Sequence, residues 1–244
     1  IQLPPRLGLI DDSNNRWSNF SAQIAHLNTT ASEGICYKVI FIGRHGQGFH
    51  NVGEAKYGTK AWDEYWAKMN GDGEIIWGPD PELTELGKEQ ARAAHAAWAA
   101  ELPFKIPLPE ALYCSPLTRA IRTNVLTFEG IFADEGPKTT IVENCREANG
   151  VHTCDKRRTL SYIKAEFPNL AIEPGFTEKD ELWNPDTRET EAELEVRAKA
   201  VLDMIFDTND GQYISITAHG GIARAFMRIV GHVDYGLPVG GQYY

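Results

Sequence analysis

Gly43-Arg44-His45-Gly46 follows directly on the apolar run Val39-Ile40-Phe41-Ile42, and a second histidine-glycine pair, His219-Gly220, follows another such run, Tyr213 to Ala218. Imidazole can serve as nucleophile, acid or electrostatic partner near neutral pH, and guanidinium is a permanent cation whose planar fork fits phosphate oxygens. Phosphoryl transfer from a monoester needs an in-line nucleophile, positive groups around the equatorial oxygens and an acid for the leaving oxygen. His45 is the candidate nucleophile. Arg44 and Arg119, the latter in Ser115-Pro116-Leu117-Thr118-Arg119-Ala120, are the candidate guanidiniums, and His219, as imidazolium, would supply another donor. Gly46 and Gly220 lack Cβ atoms, which lets the backbone pass close to an anion, and helices after Ser115 and His219 can aim N–H groups at it. The basic triplet Lys156-Arg157-Arg158 has two readings: Arg157 and Arg158 hold a second anionic group of the substrate, or they form a solvated helix start.

These residues need strands to carry them and helices to back them. The apolar runs predict strands over Cys36–Ile42, Ala111–Cys114, Thr139–Val142 and Tyr213–Ala218. Helical spacing of Gly87, Ala91, Ala94, Trp98 and Leu102 behind a Thr84 N-cap predicts a helix over 84–102. Further helices are expected over Leu117–Phe128, over Arg157–Phe167 and, from the Thr190/Glu193 capping box, over Glu191–Asp207, with a last one from Gly220 to Val230. Strands alternating with helices imply a three-layer α/β/α fold with a mainly parallel sheet, whose carboxyl edge is where loops and helix N-termini gather. Residues 1–34 are polar and turn-rich and read as an N-terminal extension. The catalytic domain then runs over 35–244, with insertions at about 52–82 and 148–188. The aromatics between Phe49 and Trp77 either staple the first insertion to the core, their more usual part, or line a pocket or lid.

The 244 residues, 42% hydrophobic, suffice for a substantial core, and no apolar run approaches the roughly 18 residues of a membrane span. A formal charge of −10 argues against nucleic acid as a partner, so any anion site must be a local basic pocket. The four cysteines form no CxxC; Cys36 and Cys114 lie in or beside predicted strands and read as small buried hydrophobes, with disulfides open. Asn19-Phe20-Ser21 and Asn28-Thr29-Thr30 match the glycosylation sequon, which matters only outside the cell; a cytoplasmic location is expected, and secretion stays open. Two rival chemistries fare poorly. Gly43-x-x-Gly46-x-Gly48 is not the order of a dinucleotide fingerprint, and a metal site built from His45, His50, His152, Cys154 and His219 would set a cation beside Arg44 and Arg119. No metal and no cofactor are therefore expected.

Arg44-His45-Gly46, Asn51, Leu83-Thr84-x-x-Gly87, Ser115-Pro116-Leu117-x-Arg119-Ala120-x-x-Thr123, Arg146-Glu147, Glu189-Thr190 and His219-Gly220-Gly221, in that order, resemble the histidine phosphatase superfamily of phosphoglycerate-mutase-like proteins. The resemblance spans about Cys36 to Val230, and Phe41 to Tyr65 looks most like fungal phosphomutase-like members. It implies a phosphohistidine intermediate on His45, phosphate contacts from Arg44, Arg119, His219 and Asn51, and Glu147 as proton donor. A carboxyl group beside a bound phosphate is pushed toward its protonated form, which suits that task. Glu143, four residues upstream, is the competitor for it. In the family's glycolytic mutases the stretch between the two glycine motifs is short, whereas Val52 to Glu82 is long and aromatic here. The expectation is thus a metal-independent phosphatase acting on a phosphorylated small molecule, with a phosphomutase or a non-catalytic phosphate-binding protein as alternatives.

Overall fold

The computed structural model describes residues 3–132, 136–233, 235–240 and 242–243. Its elements, in chain order, begin with helix α1 (Arg16–Thr30), strand β1 (Val39–Arg44), helices α2 (Phe49–Tyr57), α3 (Thr59–Glu64) and α4 (Glu85–Glu101), and strand β2 (Ala111–Cys114). Helix α5 (Thr118–Phe128), strand β3 (Thr139–Ile141), helix α6 (Leu160–Glu166) and strand β4 (Ala171–Ile172) follow. Helix α7 (Glu191–Thr208), strand β5 (Tyr213–Ala218), helix α8 (Gly220–Ile229) and the short strand β6 (Gln242–Tyr243) complete the order.

The strands lie side by side as β4-β3-β2-β5-β1-β6, all parallel except β6, which runs antiparallel to β1. Every residue of β5 is buried, as expected of a central strand covered on both faces. On one face α7 and α8 lay Leu194, Ala198, Val201, Ile222 and Phe226 against Ile214 and Ile216. On the other, Trp98 of α4 and Phe128 of α5 meet Val39, Phe41 and Leu112. The chain is thus a three-layer α/β/α structure, as the alternation of predicted elements implies. Helix α7 carries the expected capping box, Thr190 with Glu193, and Thr84 accepts from Gly87 N at 3.1 Å to cap α4. No helix among the described residues is long and apolar enough to cross a membrane.

Three expectations need correction. The segment expected to be polar and turn-rich contains α1, whose Trp17 is fully buried while Phe20 and Ile24, on the same helical face, pack beside it. Arg16 Nε and Trp17 Nε1 both donate to Glu101 Oε2 at 2.7 Å, tying α1 to the end of α4. Trp17→Ala should therefore cost about 3–5 kcal/mol in urea unfolding, and a loss under about 1 kcal/mol would make α1 peripheral. Cys36 is exposed, because β1 starts only at Val39, whose N–H meets Gln212 O; all four cysteines are free, and the other three are buried. The helix expected from Arg157 starts instead at Leu160, where Thr159 Oγ1 accepts from Tyr162 N, which leaves Arg157 and Arg158 upstream of it.

The first insertion folds on aromatic rings. Trp62 and Trp77 are buried with Ala67 and Cys154, and Tyr57 stacks on Trp66 at 4.0 Å. Trp77 Nε1 donates to Met69 O at 2.8 Å, so these rings chiefly fasten the insertion; Trp62 alone among the tryptophans also faces the functional cavity.

Candidate active site

Parallel pairing of β1 with β5 sets Gly43 against Thr217 and Arg44 against Ala218, so both strands end at one level and release their histidines together. His45 N donates to Ala218 O at 3.0 Å, and the His45 and His219 rings lie 5.0 Å apart. On the other side of β5, β2 delivers Ser115, whose N–H meets Thr217 O and whose Oγ lies 2.7 Å from His219 Nε2. Both histidines are buried at the carboxyl edge of the sheet.

His45 Nδ1 stands 2.7 Å from Gly46 O. A carbonyl only accepts, so Nδ1 carries the proton and Nε2 keeps its lone pair. Burial, then Arg119 and Arg44, hold the imidazole well below its ordinary pKa, so at neutral pH it is uncharged. Gly46 itself is required by a backbone crossing: a Cβ there would lie 2.3 Å from Gly87 O. Thr123 Oγ1 accepts from Gly46 N at 2.9 Å and donates to Arg119 O, so the threonine and both glycines of the spaced motifs hold the histidine loop in place.

Two guanidiniums flank the rings. Arg119 donates to Cys154 O and to Asp155 Oδ1 at 2.7 and 2.8 Å, and its buried Nε has no partner among the described residues. Arg44 donates from Nη1 to Leu237 O at 2.7 Å and likewise leaves Nε unpartnered. Gly220 makes the room, since a Cβ there would come within 3.1 Å of Arg44 Cζ; its part is to seat the guanidinium. His219 departs from the imidazolium expected of it. Burial, then Arg119 and its neighbouring imidazoles, pushes its pKa well down, and Nδ1 has no partner among the described residues. The ring is uncharged in these surroundings.

Glu147 sits across the cavity, its Oε2 accepting from Gly221 N at 2.9 Å and Oε1 from Ala148 N at 3.0 Å. Any side chain on Gly221 would strike it, as a Cβ would lie 2.0 Å from Oε1. The competitor Glu143 is engaged elsewhere, with Arg146 at 2.9 Å and Arg157 at 2.8 Å. That pairing also corrects the reading of the basic triplet. Arg157 turns inward to Glu143 and to the carbonyls of Thr177 and Lys179, and neither it nor Arg158, whose guanidinium lies over Tyr162, lines the cavity. Asn51 does line it: Oδ1 accepts from Gly48 N at 3.0 Å, leaving Nδ2 as a donor.

The cavity, about 290 Å³, also presents Asp155, Arg188 and Arg224, which no sequence motif marks, and His50, which the sequence offers only to a disfavoured metal site. Asp155 is buried between Arg119 and Arg188, 2.8 Å from each; against burial, which raises its pKa, the two guanidiniums hold it at about 2. No local pattern marks it, because its partners lie 36 and 33 residues away. His152, Cys154 and Asp155 bring possible metal ligands within 4.8 Å of one another. Both Asp155 oxygens, however, are spent on guanidiniums, and burial holds the Cys154 thiol well above its usual pKa, so the three groups are poorly placed to hold a cation.

The family model of the histidine phosphatase superfamily (branch 1) matches residues 40–238. The chain belongs to the histidine phosphatase superfamily. Within that superfamily it is 45% identical over 229 residues to a protein of Arthroderma benhamiae named "Probable phosphoglycerate mutase", covering 92% of this chain and 67% of that one. It is 34% identical over 236 residues to "Phosphomutase-like protein 3" of Candida albicans, covering 95% of this chain and 71% of that one. Among solved structures, the α-ribazole phosphatase of Shigella flexneri superposes with a TM-score of 0.50 at 17% identity, covering 82% of this chain and 86% of that chain, a likeness of fold.

Proposed function

We propose that this histidine phosphatase hydrolyses a phosphate monoester in two steps through a phosphohistidine on His45 Nε2. The observation that carries the proposal is the Nδ1–H bond to Gly46 O, which aims a neutral imidazole with a free Nε2 lone pair into a cavity walled by Arg44 and Arg119. In the first step Nε2 attacks phosphorus and the P–O ester bond breaks. The electron pair leaves with the ester oxygen, which takes the Glu147 carboxyl proton. In the second, water attacks the phosphohistidine, Glu147 carboxylate takes the water's proton, and the P–N bond breaks to return Nε2 and inorganic phosphate. Arg44, Arg119, His219 and Asn51 stabilise the charge spread over the equatorial oxygens. A phosphate-release screen over many monoesters with EDTA present tests this. Release that persists in EDTA supports the reading; dependence on an added metal would sink it.

The names of the fungal relatives support a second reading, a phosphomutase, in which a second substrate hydroxyl rather than water accepts the phosphoryl group. Labelled substrate separates the two, since a mutase returns the label in an isomeric ester. Arg224, one helical turn beyond Gly220 on α8, lines the cavity, and no described carboxylate lies in ion-pair distance of it. Replacing it by alanine should raise KM about tenfold for esters with a second anionic group and leave neutral-tailed esters unchanged. An equal effect on both would assign it to the transferred phosphate instead.

A further inference from the structure

Two imidazoles neighbour the His45 ring. His219 is one; the other is His50, whose ring centroid lies 5.3 Å from that of His45, against 5.0 Å for His219. His50 sits in the first turn of α2, more than nine-tenths buried, and it lines the cavity together with its neighbour Asn51. Its Nδ1 edge rests on Gly48, where a Cβ would come within 2.7 Å of that nitrogen, so only glycine lets the ring lie back in this way. Nδ1 is covered and has no partner among the described residues, which makes Nε2 the ring nitrogen that reaches the cavity. A proton on Nδ1 would be a buried donor with nothing to accept it; the stable tautomer carries it on Nε2. Burial, then Arg119 and His45, keeps the ring uncharged. Gly48-x-His50-Asn51 is therefore a unit that presents two neutral N–H donors, one imidazole and one amide, to the cavity that His45 also lines.

We propose that His50 is a phosphoryl-oxygen ligand, donating from Nε2–H to a non-bridging oxygen of the group carried on His45. It acts together with His219, so that two imidazoles near His45 ligate the phosphoryl group. A neutral donor suits this place, because Arg44 and Arg119 already supply the formal charge and a third buried cation would meet their repulsion. The inference rests on reading the cavity as a phosphate site, and its test separates the two.

The probe is inorganic phosphate, titrated by calorimetry into the wild-type protein and the pair His50→Gln and His50→Asn, with thermal unfolding as the control for folding. Glutamine places an amide nitrogen where Nε2 stands, and should bind phosphate within about threefold of wild type. Asparagine stops at the Nδ1 position and should bind roughly tenfold to a hundredfold more weakly, the magnitude of one hydrogen bond to a charged group. The same ordering is expected in kcat/KM for any monoester the enzyme turns over. Equal binding by wild type, Gln and Asn variants would overturn the role of His50 while leaving the site intact. Equal losses in Gln and Asn variants that melt like wild type would overturn the donor assignment in favour of ring packing. A wild-type protein that neither binds phosphate nor releases it from esters would overturn the reading of the cavity, and the His50 assignment with it.

Discussion

Replacing His45 by alanine should abolish turnover, and with it any covalent phosphorus on the protein in a quenched single turnover. The expectation follows from the position of one proton. Because Gly46 O holds Nδ1–H, the lone pair of His45 is at Nε2, and burial beside two guanidiniums keeps it unprotonated at neutral pH. No other described histidine near His45 combines these conditions. His219 Nε2 is engaged with Ser115 Oγ, His152 Nε2 faces Asp63 Oδ1 at 3.6 Å, and in the tautomer inferred above His50 presents a protonated Nε2. The substitution removes a side chain that belongs to none of the apolar clusters, so the variant should fold and melt close to wild type. Wild-type turnover in folded His45→Ala would end the phosphohistidine mechanism.

Removing the Arg119 guanidinium is the second large effect, a loss of about 10²–10³ in kcat/KM for Arg119→Ala, the usual consequence of deleting one preorganised transition-state donor. Arg119 is held on two sides, by Cys154 O and by Asp155, so its donors are oriented before an anion arrives and reorganisation costs little. Lysine keeps the charge but not the planar fork that Cys154 O and Asp155 engage together, and should recover only part of the loss. Asp155 retains Arg188 in the alanine variant, which limits the cost in stability of leaving a buried carboxylate half paired. A folded Arg119→Ala variant within tenfold of wild type would show that the phosphoryl charge is borne elsewhere.

Strand β5 and helices α4 and α7 were legible because their signals are local: an unbroken apolar run, a helical stripe, and N-caps whose partner is three residues away. Helix α1 was not, although Trp17, Phe20 and Ile24 follow helical spacing. Its polar face and the flanking prolines and asparagines dominate the local pattern, and the Trp17 site exists only once Glu101 and Phe41 are brought to it.

By itself the chain's order of residues determined that two histidines and two arginines close strand or helix starts at one edge of a sheet, since a strand end followed by glycine is a short-range property. Tertiary structure alone decided which neighbouring charges serve the cavity. Arg157 and Glu143 neutralise each other away from it, and Asp155 and Arg188 enter as the brace behind Arg119, while His50 turns inward beside His45. The reason is physical: a buried charge must find its partner wherever the fold places one, and these partners lie 14 to 36 residues apart in the chain.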